Sequence, residues 1–479
     1  MGGDGPARQT SSVNQSVCAA MSPLLDARGL AVSTPAAKSL ARFEAALACL
    51  HASRGDALER IDAALARDPG FAAGHCLRAA ALVMASEAPH APALSDAIVA
   101  IERLGDRAND RERRHAAAAR AWLEGDARLA AERYGELVID YPRDSLALQV
   151  VHTLDFRLSQ REMLRDRAAQ VLPHWDESVP GYGFVLGLYA FGLEETGDYA
   201  RAEAVARHSL QVDPANASAI HVIAHVMEMQ GRTRQGIEWL ESTRATWAGN
   251  AGFAIHTAWH LALFRLDLDE TEAALALYDR RLAPTATSPI ATLVDATALL
   301  WRLEIRGLDV RARWRTLADC WSRKPLAGRR AFNLVHAVIA FSAAGRLAAA
   351  RQVAELLRND TGTRSVNSAE DLTLALPLTE ALLAFGCGDY ARAVERISVV
   401  RAIAHRCGGS LAQCDLIHLT FVEAALRSRR GRLAEALAAE RTARKPQSPL
   451  NQWLFARAAG ALGAMRSGGA PVTPYPVAA

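Results

Sequence analysis

A chain of 479 residues is longer than one ordinary globular core, so its length predicts either several domains or a repeat array. Half of the residues are hydrophobic and 22% are charged, as in soluble proteins that bury a large core. The formal net charge is only +3, and the arginine-rich patches fall near predicted helix ends. This argues against nucleic acid as a partner. Apolar windows stay shorter than a membrane span, so no membrane partner is expected.

The seven cysteines are scattered and form no C-x-x-C pair. This excludes a disulfide framework and a zinc knuckle, and it favours a reducing cytoplasm. Residues 1–20 lack the basic-then-apolar order of a signal peptide, and we interpret them as a disordered leader. Residues 467–479, rich in glycine and proline, are interpreted as a flexible tail. Because no long linker interrupts residues 21–466, we expect one continuous domain there.

Tight corners between helical segments recur along the chain, and no segment shows the alternation typical of a strand. In chain order, these corners are Gly55-Asp56, Gly125-Asp126, Gly197-Asp198, Gly345-Arg346, Gly388-Asp389 and Gly431-Arg432. The clearest unit begins at Tyr182 and reads YGFVLGLYAFGLEETGDYARAEAVARHSLQVDPAN. It fits the tetratricopeptide pattern of about 34 residues, with glycine at the turn and proline after the second helix. The sequence therefore predicts an all-α superhelical array of helix-turn-helix repeats.

Two His-x-x-x-His pairs follow this unit, His221/His225 and His256/His260. The repeat register places each pair on the first helix of a repeat, and a spacing of four puts both rings on one helical face. First helices of neighbouring repeats pack side by side, so all four imidazoles are predicted to face one concave groove. Glu228 lies on the same stripe as the first pair.

Three interpretations of this cluster remain open from the sequence. The i, i+4 spacing allows one helix to offer two nitrogens to a metal ion, although the glutamate of H-E-x-x-H is absent. The histidines could instead form the polar floor of a ligand groove, or hydrogen-bonded structural groups in the core. The metal-ligand candidates are His221, His225, His256 and His260.

Further polar residues extend this predicted floor. Asp295 and Glu304 lie on an apolar helix, where an inward carboxylate would need a partner such as histidine. Glu194 and Glu195 lie just before a corner, where a solvated helix end is the simpler interpretation. The additional ligand-binding candidates are His221, Glu195, Asp279, Asp295, His336, Asp415 and His418.

The chain resembles the tetratricopeptide repeat protein 38 family over roughly residues 25–466. The resemblance is carried by the following segments: YAFGLEETGDYARAEAVARHSLQVDP, HVIAHVMEMQGRTRQGIEWL, HTAWHLALFRLD, LALYD, LLWRLEIRG and GGSLAQCD. It implies a superhelix of divergent repeats and supplies no substrate. The polar positions usual in the family correspond to His225, Glu228, His256, His260, Asp279, His336 and Asp415.

This chain departs from the family pattern at three positions. Leu411 and Cys414 stand where the family commonly has histidine and arginine, and Thr257 stands where it often has asparagine. If these segments build a pocket, the departures imply a different ligand or a lost activity.

Two functions are compatible with the sequence. The first is a repeat protein that binds a peptide or small ligand in a His-lined groove. The second is an enzyme that uses His225, His256, His260 and Glu228 for acid–base chemistry on a small molecule, with or without a divalent metal cofactor. A homo-oligomer is compatible with either function.

Overall fold

The computed structural model describes residues 24–466 except 35, 54, 86–91, 251, 327–328 and 360–368. The predicted leader (1–20) and tail (467–479) lie outside the described residues. One short antiparallel ladder, β1 (Leu24–Leu25) with β2 (Ala31–Val32), precedes the helices. The described remainder is helical, which confirms the all-α prediction. Within that part of the chain, no helix is both long and apolar enough to cross a membrane.

Twenty-four α-helices occupy the described residues. The first twelve are α1 (Ala37–His51), α2 (Ala57–Leu65), α3 (Ala72–Ala85), α4 (Pro92–Leu104), α5 (Asp110–Leu123), α6 (Ala127–Asp140), α7 (Ser145–Arg157), α8 (Arg161–Val171), α9 (Tyr182–Glu195), α10 (Tyr199–Val212), α11 (Ala217–Gln230) and α12 (Thr233–Ser242). The others are α13 (Arg244–Trp247), α14 (Ala254–Asp267), α15 (Thr271–Leu277), α16 (Ile290–Ile305), α17 (Arg311–Ser322), α18 (Ala331–Ala343), α19 (Leu347–Asn359), α20 (Ala369–Gly386), α21 (Tyr390–Val400), α22 (Leu411–Arg427), α23 (Gly431–Arg444) and α24 (Pro449–Arg466). Short 3-10 or π segments are Gly105–Arg107, Leu172–His174, Tyr278–Leu282 and Ala404–Arg406.

The predicted corners form for identifiable local reasons. Gly197 has φ of 85° and Gly388 has φ of 79°, the left-handed conformation that glycine adopts without a steric penalty. The next residue caps the following helix in each case. The Asp198 carboxylate accepts a hydrogen bond from the backbone N–H of Arg201, and Asp389 acts in the same way at the start of α21. These corners hold consecutive helices as antiparallel pairs.

The pairs stack into a superhelix that closes on itself. Along its inner side, α9, α11, α14, α16 and α18 lie next to one another in sequence order. Towards the carboxyl end, α22 packs against both α16 and α11, and α24 packs against α14. The inner helices are therefore covered by the last repeats over the middle of the array. This arrangement encloses the surface on which the histidine pairs lie.

Close approach between α8 and α9 depends on Gly192. A Cβ atom added at this position would lie 2.4 Å from the backbone nitrogen of Arg165, so α8 would have to move. We expect Gly192→Ala to lower the free energy of unfolding by about 1–3 kcal/mol, measured by urea denaturation. Gly460→Ala is the matched control, since Gly460 lies in α24 with open space around it. The control should be neutral or stabilising by up to about 1 kcal/mol. Equal stability of the two variants would contradict the close packing.

Candidate metal centre

Two neighbouring inner helices bring the four histidines together. Asn216 caps α11 by accepting the backbone N–H of Ala219, and α11 ends at Gly231, which has φ of 72°. Both histidines fall within these helix boundaries. Their spacing of four residues places His221 and His225 one turn apart on the face of α11 that is directed towards α14. His256 and His260 also lie one turn apart, on α14, and their rings face those of His221 and His225.

The imidazole nitrogens converge. Nε2 of His260 lies 3.2 Å from Nε2 of His221 and 3.3 Å from Nε2 of His256. One nitrogen from each of the four histidines, His225 included, lies within 4.8 Å of the other three. At a zinc–nitrogen distance of about 2.0–2.1 Å, the ligand atoms of a tetrahedral site are separated by about 3.3 Å. The two shortest Nε2–Nε2 distances match that separation.

The second ring nitrogens of His256 and His260, the Nδ1 atoms, face carboxylates. Nδ1 of His260 lies 2.8 Å from Glu228, and Nδ1 of His256 lies 2.9 Å from Asp295. With ionised carboxylates as acceptors, Nδ1 of His256 and of His260 carries the hydrogen, and when both rings are neutral their Nε2 atoms present lone pairs to each other. Such a contact is repulsive unless a proton or a cation lies between the nitrogens. Carboxylate partners of this kind are what metal-bound histidines usually have.

Burial strengthens this argument. His221, His225 and His260 are buried, whereas the His256 side chain keeps 23% of its surface exposed. Nε2 of His225 is buried and has no hydrogen-bond partner among the described residues, although buried polar atoms normally have one. The residues present therefore fit a metal ion bound through imidazole nitrogens.

The electrostatics keep most of the cluster uncharged. Burial, followed by the neighbouring imidazoles, holds the pKa of His221 and of His260 well below the ordinary value. Burial also lowers the pKa of His225 to about 4. Burial acts against protonation of His256 too, but the charge and hydrogen bond of Asp295 outweigh it and raise the pKa. At neutral pH, three of the rings are thus in the unprotonated form that binds metal.

A pair of buried glutamates adjoins the cluster. Oε2 of Glu194 lies 3.2 Å from Nδ1 of His225, and Glu195 accepts hydrogen bonds from Arg161 Nε and from the backbone N–H of Leu411. Burial raises the pKa of both glutamates to about 8. Glu194, Glu195 and His225 form a second group with ligand atoms within 4.8 Å. The expected solvated helix end is wrong, because α9 buries both side chains.

The remaining candidates divide between this cluster and other locations. Asp295 joins the cluster through His256 and also accepts a hydrogen bond from Gln413 Nε2 at 3.3 Å. Nδ1 of His336 donates to the backbone oxygen of Phe332, four residues earlier, while its buried Nε2 has no partner in the described part of the chain. His336 therefore bonds within its own helix.

Asp415 and His418 line a separate cavity, and Asp279 lies outside the site. Both carboxylate oxygens of Asp415 accept hydrogen bonds from Arg441, at 2.7 and 3.0 Å. Asp279 forms a two-fold hydrogen bond with Arg313, and its side chain is 48% exposed. The structure therefore places Asp279 outside the histidine cluster, in an exposed ion pair with Arg313.

The surroundings of the histidines are more closed than the predicted concave groove required. Since α22 packs on α11 and α16, the floor is enclosed, with His256 as its most exposed imidazole. Sequence reasoning missed Glu194 as a site residue, although it precedes Glu228 by 34 positions, one repeat length. It also missed Gln413, although this residue lies in the GGSLAQCD segment of the family resemblance, and Lys445, which comes from a distant carboxyl-terminal repeat and carries no local signal.

The fold and the site together define a helical-repeat protein of the tetratricopeptide type with an enclosed cluster of histidines and acids. No protein-family model matches the chain. Among solved structures, it is similar to a Rap protein complexed with competence and sporulation factor, at 13% identity and a TM-score of 0.40. That match covers 73% of this chain and all of the other. A second similarity is to Naa15/Naa10 bound to HypK-THB, at 18% identity and a TM-score of 0.29, over 91% of this chain and 72% of that one.

Proposed function

We propose that His221, His225, His256 and His260 bind one divalent transition-metal ion, and that the protein is a metal-dependent enzyme acting on a small molecule. The observation that carries this proposal is the convergence of Nε2 atoms at 3.2 and 3.3 Å, with carboxylates behind the rings of His256 and His260. Zinc is the best fit, because imidazole ligands and tetrahedral spacing favour it over magnesium or calcium.

Acid–base chemistry beside a Lewis acid would be available at such a site if the ion expanded to five-coordinate, because four histidines alone leave no position for water or substrate. The exposed edge of His256 gives the approach from solvent. Glu194, whose pKa burial raises to about 8, can hold a proton at neutral pH next to His225. Glu228 orients His260 and increases the basicity of its ring. In this proposal, His225, His256 and His260 hold the ion rather than transfer protons.

A metal-independent binding function is the second candidate. It is favoured by a cavity of about 560 Å³ beside the cluster, a size typical of small-ligand pockets. The covering repeats make a small molecule a better occupant than an extended peptide. The thiols of Cys76, Cys320 and Cys414 form no disulfide within the described part of the chain, which supports our proposal of a reducing, cytoplasmic environment.

We also propose membership of the tetratricopeptide repeat protein 38 family. The segments that carry the resemblance contain His225, Glu228, His256 and His260, and these side chains lie in one cluster. The coincidence of the most specific segments with the candidate site supports the assignment.

Metal analysis of the purified protein tests the proposed function. After reconstitution with zinc and removal of loosely bound ions, we expect about one zinc per chain in the wild type. A His225→Ala/His260→Ala double variant should lose it, because two ligands are gone. The measurement is elemental analysis by mass spectrometry, with circular dichroism to verify folding.

A His208→Ala variant is the control for adventitious binding to histidine, since the side chain of His208 is 43% exposed and lies outside the cluster. It should retain the full zinc content. A wild type that holds no metal after reconstitution with zinc, iron and manganese would overturn the metal proposal and leave the binding function as the better account.

A further inference from the structure

A cavity that is partly open to solvent lies beside the histidine cluster, between the end of α23 and the start of α22. The cavity has a volume of about 560 Å³ and is walled by more cations than anions. Its positively charged lining residues are Arg161, Arg401, Arg441, Arg444 and Lys445, whereas Asp415 is the one carboxylate among its described lining residues. Burial alone would raise the pKa of Asp415, but Arg441 and Lys445 hold it well below its usual value. The potential in the cavity is therefore positive.

Some of these cations are already paired. Arg161 binds Glu195, Arg401 binds Glu440, and Arg441 binds Asp415. These pairs fix the walls of the cavity and leave little donor capacity for a ligand.

Two other cations of the wall are less fully paired. Arg444 is exposed and makes no ion pair or hydrogen bond with any residue in the described ranges. The Lys445 side chain is only 14% exposed, and its ammonium lies 4.0 Å from Glu228, at the outer limit of an ion pair. Nε2 of His418 lies 3.5 Å from Oε2 of Glu440, so this ring is directed towards that carboxylate. The ammonium of Lys445, largely withdrawn from water, retains donor capacity for an anionic ligand.

The remaining wall is apolar. Met229, Ile397, Ile417 and Phe421 line the same cavity, and the guanidinium of Arg401 stacks over the ring of Phe421 at 5.9 Å. A ligand that satisfies both parts of the wall has an oxyanion at one end and an apolar body at the other. A bare inorganic ion would fill only a small part of 560 Å³.

We propose that this cavity binds a small organic anion, with its phosphate or carboxylate group held by Arg444 and Lys445 and its apolar part against Phe421. The site stands on its own observations and does not require a metal ion. Glu228 connects it to the histidine cluster, since one oxygen faces Lys445 and the other accepts the His260 hydrogen bond. A molecule bound here lies next to the candidate metal centre.

Calorimetric titration with phenyl phosphate, benzoate, inorganic phosphate and neutral benzyl alcohol tests the proposal on the full chain. We expect saturable binding of phenyl phosphate or benzoate, with inorganic phosphate weaker and benzyl alcohol the weakest. Arg444→Gln and Lys445→Gln should each weaken the aromatic anion about tenfold or more, because each removes a charge-assisted hydrogen bond. Arg432→Gln is the matched control, as this exposed arginine lies at the other end of α23. The Arg432→Gln variant should bind the aromatic anion with the same affinity as the wild type.

The two aromatic anions distinguish phosphate from carboxylate as the preferred head group, and either result supports an oxyanion site. Chelator-treated protein should bind the anion as well, so this test and the metal analysis can fail independently. Absence of saturable binding of both aromatic anions in the low millimolar range would overturn the proposal. So would wild-type affinity in both cavity variants, or benzyl alcohol binding as tightly as phenyl phosphate.

Discussion

Zinc should raise the thermal unfolding midpoint of the wild type and leave that of His260→Ala unchanged. His260 is central to the cluster, because its Nε2 lies within 3.3 Å of the nitrogens of both His221 and His256. An ion that binds only the folded protein adds about 4 kcal/mol to the free energy of unfolding when its concentration is a thousand times Kd. The variant loses this term and also leaves Glu228 without its histidine donor, at a cost of about 1–3 kcal/mol.

Scanning calorimetry with zinc, with magnesium and with chelator measures this difference. Magnesium is the control ion, since it prefers oxygen ligands in octahedral geometry and should give no shift. If zinc and chelator give the wild type the same midpoint, the four histidines do not form a metal site. A zinc shift of equal size in His260→Ala would place the ion elsewhere in the protein.

The metal-free protein should lose stability steeply as the pH falls from about 6.5 to 4. Burial lowers the pKa of His152, His225 and His336 to about 4 each, while the unfolded chain has the ordinary value of about 6.5. A lowered folded-state pKa gives stability that is present above pH 6.5 and lost as the pH falls through the folded value. Each such shift corresponds to about 3 kcal/mol, although the contributions need not be additive.

The buried glutamates have the opposite sign. Burial raises the pKa of Glu194 and Glu195, so their contribution is full below the ordinary value of about 4.5 and lost as the pH rises towards about 8. Together, these groups predict maximal stability near about pH 6.5. Urea midpoints across pH 4–8 provide the measurement. His152 lies outside the cluster, and His152→Gln should reduce the fall of the urea midpoint between about pH 6.5 and 4, whereas His208→Gln should leave this fall unchanged. An equal fall of the urea midpoint in both variants would contradict the assignment of this stability loss to buried histidines such as His152.

The repeat architecture was predictable because its determinants are local. Glycine followed by aspartate encodes a left-handed turn and a helix cap within two residues, as at Gly197 and Asp198. A spacing of four along one helix and about 35 between helices then places His221 and His256 side by side. The convergence of the histidines follows from this register, because neighbouring first helices pack in sequence order.

The enclosure of the site was not predictable, since it depends on contacts between distant parts of the chain. The backbone of Leu411 bonds Glu195 across 216 residues, and no periodic pattern encodes that contact. Lys445 reaches Glu228 in the same way. The position of Asp279 outside the cluster was not predictable either, because a charge on a second helix carries no information about which side faces the interior. The coverage of the inner helices by α22 and α24 changes an open groove into an enclosed site.

X-ray absorption spectroscopy of the zinc-loaded protein tests the central claim most directly, because it reports the identity and distance of the atoms bound to the ion. Coordination by His221, His225, His256 and His260 predicts nitrogen neighbours at about 2.0–2.1 Å with the multiple-scattering pattern of imidazole rings. A sulfur shell near about 2.3 Å, or a purely oxygen shell without imidazole scattering, would contradict it.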